Sequence, residues 1–136
     1  MLFGKEHVER YRATDGEEGH IWEKGSTVAL LTTKGRKSGE ERTTPLIYGT
    51  TPEGEHMVVA SNGGEDQPPA WYLNLQEDPS GELQVKADKF SVKARDAGSD
   101  EKPELWKQMA DQWPDYDSYQ QRTDRQIPVV VLERRS

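Results

Sequence analysis

The stretch of this sequence with the clearest chemical potential is a basic, glycine-containing turn at residues 34–42. Its four cations, Lys34, Arg36, Lys37 and Arg42, outnumber two glutamates and give a net charge of +2 in a chain whose formal net charge is −7. Glycines let successive backbone N–H groups converge on one anion, and arginine binds phosphate oxygens in pairs. The turn indicates either a site for one particular anion or a solvated hairpin tip whose charges keep an edge soluble.

Two strands are predicted to position this turn. Val28, Leu30 and Leu31 precede it, and aliphatic and aromatic residues at 46–48 follow it, which is the composition of a β-hairpin. Ser38 and Thr43 add hydroxyl donors. The turn is not a Walker phosphate loop, because its Lys-Ser pair lacks the required glycine spacing.

Aromatic residues near the C-terminus form the second feature of interest. Trp113, Tyr116 and Tyr119 lie three apart, so they share one face if the segment is helical. They predict either a hydrophobic lid whose tyrosine hydroxyls are exposed to solvent or an aromatic wall for a flat ligand, with a phenol free to donate a hydrogen bond.

A strand that runs into Ser61-Asn62-Gly63-Gly64 and a short helix over 67–79 complete the candidate site. The glycines indicate either a plain loop or a close approach of the backbone to a ligand. Asn74 lies within the aromatic-rich helix, and a buried amide there needs hydrogen-bond partners. His20 and Trp22 are predicted to be a surface histidine and a tryptophan at the edge of the core.

The remaining pattern predicts a mainly β fold with flanking helices. Alternation of apolar and polar residues predicts antiparallel strands over 82–87 and 90–95. A helix is expected from residue 100 to Pro114, and the apolar run at 127–133 is expected to lie inside the sheet. The 136 residues fit one domain, 1–136, with an N-terminal helix and loop over 1–20.

Composition excludes several classes of function. The chain has no cysteine, which removes thiol chemistry and fits the cytoplasm, and its three histidines show no zinc spacing. Net acidity argues against nucleic-acid binding, and no segment suits a membrane span or a secretory signal. With no triad or acid–base pair evident, an enzyme of this sequence would need a bound cofactor for the difficult step.

Six blocks of this sequence together resemble the deazaflavin-dependent nitroreductase family, also called the F420H2-dependent quinone reductases. The similarity spans roughly residues 13–134, and blocks in the right order are more specific than any one of them. The blocks are LTTKGRKSG at 31–39, RTTPL at 42–46, VASNGG at 59–64, PAWYLNL at 69–75, YDSYQ at 116–120 and RQIPVV at 125–130.

The resemblance implies a split β-barrel, related to flavin-binding barrels, that holds coenzyme F420 in a groove. It assigns the acidic tail of the cofactor to the basic hairpin, the deazaflavin to the strand before the glycines, and the substrate side to the aromatic residues. For the tail it implies Gly35, Arg36, Lys37, Ser38, Arg42, Thr43, Thr44, Pro45, Leu46 and Ile47. For the ring it implies Val59, Ala60, Ser61 and Asn62; for the rest of the groove, Ala70, Trp71, Tyr72, Leu73 and Asn74; and for the substrate side, Trp113, Tyr116 and Tyr119, with Tyr116 also bordering the cofactor.

Two positions depart from the family pattern. Relatives often carry lysine at position 62, and Asn62 offers an amide instead of a charge. Ile47 stands where some relatives have an aromatic residue, so the range of substrates is expected to differ.

The resulting hypothesis is an F420H2-dependent reductase that passes a hydride to a small electron-poor acceptor such as a quinone, nitroaromatic or activated alkene. Tyr116, Tyr119 or Ser61 would donate a hydrogen bond or proton to the acceptor. The alternatives are an FMN-using barrel, a non-catalytic F420 carrier, and a protein-interaction domain that binds no cofactor. A monomer or homodimer without stable membrane insertion is expected, in the cytoplasm or peripheral to a membrane.

Overall fold

Seven antiparallel strands make one curled sheet in the computed structural model, which describes residues 4–135. The spatial order of the strands is β2-β1-β5-β6-β7-β4-β3. Their bounds are β1 Val28–Lys34, β2 Glu41–Ile47, β3 Gly49–Thr50, β4 His56–Val59, β5 Ser80–Val85, β6 Asp88–Asp96 and β7 Val129–Arg134. The helices are α1 Gly4–Thr14, α2 Ala70–Glu77, α3 Lys102–Gln112 and α4 Asp115–Gln121.

The predicted hairpin is formed by β1 and β2. Its register pairs Val28 with Ile47 and Lys34 with Glu41, so the basic turn closes the far end. Strand β1 is buried from Val28 to Thr33 because both of its faces are covered. Successive side chains on a strand point to opposite faces, and here one face meets the barrel interior while Leu30 packs against α1.

The same alternation divides β4 and β7 between two cores. Val58 and Val130 belong to the interior cluster, which also holds Trp71 and Leu75 of α2. Met57 and Val131 point the other way and belong to the cluster that includes buried residues of α3 and α4. The apolar run at the end of the chain is therefore a sheet-interior strand between β6 and β4, as predicted.

Within residues 4–135, the sheet does not close into a complete barrel. Strands β2 and β3 lie at opposite ends of the strand order, yet they are consecutive in the chain and are joined through Tyr48. The two edge strands of the sheet are therefore separated by a single residue of the chain.

The secondary structure agrees with the predicted mainly β class with flanking helices. One prediction about a side chain is wrong. His20 is not a surface residue: it is buried, because it packs beneath Tyr48 and its Nε2 lies 2.8 Å from the Tyr48 hydroxyl. Of the predicted domain 1–136 and its N-terminal segment, residues 1–3 and 136 lie outside the described residues.

Candidate functional site

The basic turn forms the floor of an open groove of about 430 Å³. The turn is closed by backbone hydrogen bonds from Gly35 N to Glu40 O (2.7 Å) and from Gly39 N to Gly35 O (2.8 Å). Gly39 has φ +75°, a conformation that L-residues rarely adopt. The groove is lined by Gly35, Arg36, Lys37, Ser38, Arg42, Thr43, Thr44, Ala70, Trp71 and Asn74.

Asn74 connects this turn to α2. Its Oδ1 accepts hydrogen bonds from Arg36 N (3.2 Å) and Arg36 Nη1 (3.1 Å), and its Nδ2 donates to Thr33 Oγ1 (3.1 Å). The side chain is 4% exposed, so the predicted requirement for partners is met by these three bonds. One amide therefore fixes both the backbone and the guanidinium of Arg36.

A second, more apolar cavity of about 450 Å³ adjoins the groove, and Thr44 and Trp71 line both. Residues of β2, of the segment after β4 and of α4 converge here. Among the predicted site residues, those lining this cavity are Thr44, Pro45, Leu46, Ile47, Val59, Ser61, Asn62, Trp71, Trp113, Tyr116 and Tyr119.

Three of the predicted cofactor residues line neither space. Ala60 is fully buried in the interior core. Tyr72 donates its hydroxyl hydrogen to Asp96 Oδ2 (2.7 Å) on β6, and Leu73 is half-buried on α2. For Tyr72 and Leu73, helical geometry explains the difference, since consecutive residues of α2 point in different directions and only some can face the groove.

Aromatic rings form one wall of the cavity. Trp22 and Trp113 are stacked, with centroids 5.6 Å apart and planes at 21°. Trp113 Nε1 lies 3.5 Å from the Tyr119 hydroxyl, and the Tyr119 and Tyr116 rings meet edge to face at 6.1 Å. The wall can cover a flat ring on one side while its polar atoms remain at the rim.

The Tyr116 phenol is a weaker acid than an exposed one. Its ring is 5% exposed, and this burial raises the pKa of the phenol above its ordinary value of 10. Ionisation of the phenol is disfavoured where water is excluded. A neutral phenol can still donate to an acceptor oxygen.

The segment between β4 and α2 is clamped beneath this wall by arginine. Arg125 donates from Nη2 to Ala60 O (3.2 Å) and Ser61 O (3.0 Å), and from Nε to Glu65 O (2.9 Å). Gly64, at φ +84°, lies so close to α4 that a Cβ would be 2.7 Å from Tyr119 O. The segment carrying Ser61 and Asn62 is thus held against the helix that carries the tyrosines.

Several residues that line this cavity were not among the predicted site residues, and they include His7 of α1 and Trp22. His7 is 2% exposed, and its Nε2 lies 2.9 Å from Gly19 O. Trp22 was expected only at the core edge, but it stacks on Trp113. No local signal points to either residue, because α1 reaches the cavity only through tertiary packing.

Two kinds of site are not found within residues 4–135. No group of three or more His, Asp or Glu side chains there could hold a metal ion. No helix in that range is long and apolar enough to cross a membrane.

Comparison with known proteins agrees with this geometry. The model of the family described as F420H(2)-dependent quinone reductase matches residues 3–134. An F420H(2)-dependent quinone reductase of Mycobacterium tuberculosis is 37% identical over 132 residues, which cover 95% of this chain and 88% of that protein.

Solved structures extend the likeness to the fold. A structure described as an F420-H2 dependent reductase (FDR-A) has 36% identity and a TM-score of 0.70, and the match covers 78% of this chain and 93% of that one. A second, described as a domain-swapped dimer, has 34% identity and a TM-score of 0.72 over 95% of this chain and 96% of that one. The predicted split-barrel fold and the predicted family are confirmed, and this chain belongs to the F420H(2)-dependent quinone reductase family.

Proposed function

We propose that this protein binds reduced coenzyme F420 and uses it to reduce a small electron-poor acceptor of the quinone type. The observation that carries the proposal is the direct connection between a basic groove and an aromatic cavity, which share Thr44 and Trp71. Such a pair of spaces fits a ligand with an acidic tail and a flat ring. The cofactor has both, and when bound it supplies the hydride.

The tail would be held by charge and by converging donors. Arg36, Lys37 and Arg42 line the groove, and no ion pair within residues 4–135 engages Arg36 or Lys37. Arg42 lies 3.6 Å from Glu40 Oε2, an exposed pair that costs little to separate. Charge-assisted hydrogen bonds from these side chains fit phosphate and carboxylate oxygens.

The ring side would be held by shape. Leu46, Ile47, Val59 and Trp71 give the cavity apolar walls, and Ser61 is the hydroxyl nearest the glycine segment. Apolar walls that exclude water would strengthen each polar contact with the acceptor. Binding in the same cavity would also place the acceptor close to the hydride donor. Tyr116 and Tyr119 would orient the acceptor oxygen by hydrogen bonding.

Absorbance of F420 provides the direct test of this function. Purified protein is mixed with F420H2 and menadione, and oxidation is expected well above the protein-free rate. Tight F420 binding without accelerated oxidation across several acceptors would instead identify a carrier, and no binding at all would leave a protein-interaction domain.

Charge reversal in the groove tests the binding mode. Arg36→Glu and Lys37→Glu each remove charge-assisted bonds worth about 1.5–3 kcal/mol, so F420 affinity is expected to fall roughly 10- to 100-fold. Lys107→Glu makes the same charge change on the exposed face of α3 and serves as the matched control. Affinity for FMN, measured in parallel, should depend less on these residues; a tighter FMN complex would favour the FMN-using alternative.

A homodimer is the oligomeric state that the domain-swapped relative favours over a monomer. Light scattering coupled to size-exclusion chromatography, with and without F420, separates the two.

A further inference from the structure

His7 is the only side chain with an imidazole, carboxylate, ammonium or guanidinium group among the described residues that line the aromatic cavity. It lies on α1 and is 2% exposed. Its ring adjoins Trp22, with centroids 6.1 Å apart, and Trp22 in turn stacks on Trp113. The imidazole therefore lies at one end of the aromatic wall, and the tyrosines follow Trp113.

The ring of His7 is oriented by a backbone carbonyl. Nε2 lies 2.9 Å from Gly19 O, and a carbonyl can only accept, so Nε2 carries a hydrogen. Nδ1 is then the nitrogen that gains and loses the second proton. Within residues 4–135, every fully buried side-chain nitrogen has a hydrogen-bond partner. Nδ1 has no partner there, so it is not fully buried and is accessible to solvent or ligand.

Reduction of a quinone consumes a proton in addition to the hydride. Hydride transfer delivers two electrons and one proton, which leaves the acceptor as an oxyanion that needs one more proton. Imidazole is the side chain that exchanges protons most readily near neutral pH, whereas burial raises the pKa of the Tyr116 phenol.

We infer that His7 is a catalytic residue that protonates the oxygen of the reduced acceptor. In this step the Nδ1–H bond of the imidazolium breaks and an O–H bond forms, which leaves neutral imidazole to be reprotonated by water. The inference rests on the proposed function and adds a residue outside every block of the family resemblance. It also favours acceptors whose reduction leaves an oxyanion, quinones first.

The titratable and charged groups around His7 belong to its own helix and to the aromatic wall. On its own helix it faces Tyr11, with ring centroids 6.5 Å apart. Gly19 and Trp22 contribute no ionisable group, and across the cavity the titratable side chains are Tyr116 and Tyr119. Charged groups also contact the wall from outside: Lys24 Nζ, paired with Asp115, lies 4.6 Å from the Trp113 ring centre, and the Arg122 guanidinium lies 5.5 Å from that of Tyr119. No carboxylate or other cation among the described residues lines the cavity itself, so a histidine variant is needed to assign a change in pH response to His7.

The first experiment measures kcat for menadione reduction against pH in wild type, His7→Gln and His56→Gln. His56 is a half-buried imidazole that does not line the cavity, so it is the matched control. A general acid contributes 100-fold or more, so His7→Gln is expected to lower kcat roughly 100-fold. The alkaline decline of kcat should be lost in this variant and kept in His56→Gln.

A second variant separates chemistry from packing. His7→Ala should regain activity when free imidazole is added, which a purely structural loss would not allow. A folded His7→Gln protein with wild-type kcat and an unchanged pH profile would overturn the inference, and so would His7→Ala that imidazole cannot rescue.

A third measurement uses no cofactor and therefore remains informative if the proposed function fails. Menadione is titrated into the cofactor-free protein while the imidazole Cε1–H proton resonances are followed, assigned with the histidine variants. The His7 resonance should move and the His56 resonance should not. An unmoved His7 resonance at saturation, judged from tryptophan fluorescence quenching, would exclude contact with the acceptor and overturn the inference.

Discussion

Replacing Asn74 by aspartate tests how much of the anion groove depends on one amide. The change keeps the shape of the side chain and its two acceptor contacts with Arg36, and Thr33 can reverse its hydroxyl to donate to the new carboxylate. The fold should therefore survive. What changes is charge, because one negative charge now lies beside the guanidinium that would bind the tail.

The size of the effect follows from distance. Asn74 Oδ1 is 3.1 Å from Arg36 Nη1, and an anion that accepts from the same nitrogen would be at most about 6 Å from that oxygen, given bond lengths near 2.8 Å. Two negative charges at about 6 Å repel by about 0.7 kcal/mol in water and about 2.8 kcal/mol at an effective dielectric constant of 20. Because the groove is open, we expect about 1–2 kcal/mol, or roughly 5- to 30-fold weaker F420 binding.

The assay is calorimetric titration with F420 at two salt concentrations. Gln76→Glu adds the same charge on an exposed position of the same helix and is the matched control. The loss in Asn74→Asp should shrink as salt rises, since screening acts on an open groove. If Asn74→Asp and Gln76→Glu bind F420 equally well at low salt, the tail does not occupy this groove.

Two further predictions concern the frame of the site. Gly64→Ala should lower the free energy of unfolding more than Gly63→Ala, because both have positive φ but only at Gly64 would a Cβ collide with the Tyr119 backbone; urea unfolding measures the difference, and equal losses would refute the contact. Burial lowers the pKa of His20, so the unfolded chain takes up a proton first as pH falls, and stability should decrease below about pH 6.5. His56 has a lowered pKa for the same reason, so His20→Gln should reduce this slope without abolishing it in urea unfolding at pH 7.5 and 5.5, and an unchanged slope would contradict the assignment.

The elements that carry the basic groove could be predicted from the sequence because their signals are local. The hairpin around the basic turn has strand composition on both sides and glycines between. Asn74 was conspicuous as an amide in an apolar helix, and its burial implies partners even when they cannot be named. Such signals depend on residues close together in the chain, so they can be interpreted without knowledge of the tertiary structure.

The parts that could not be predicted depend on non-local packing. The pairing of β7 between β6 and β4 joins distant parts of the chain, and nothing in its apolar run specifies those neighbours. His7 and Trp22 reach the cavity because α1 and the loop after it fold back over the sheet. His20 was expected at the surface because its polar, glycine-rich neighbours resemble a loop, whereas the Tyr48 hydroxyl compensates its burial.

The gap between edge strands β2 and β3 has a consequence for the stability of the protein. The cavity is lined by residues of β2 and of β4, the strand beside β3. It therefore lies at the gap where the two edges of the sheet are not hydrogen-bonded to each other. A molecule bound there would contact both β2 and β4 and would hold the two sides of the gap together. Amide hydrogen exchange along β2 should then slow when the cofactor binds. The melting temperature should rise with cofactor concentration by mass action.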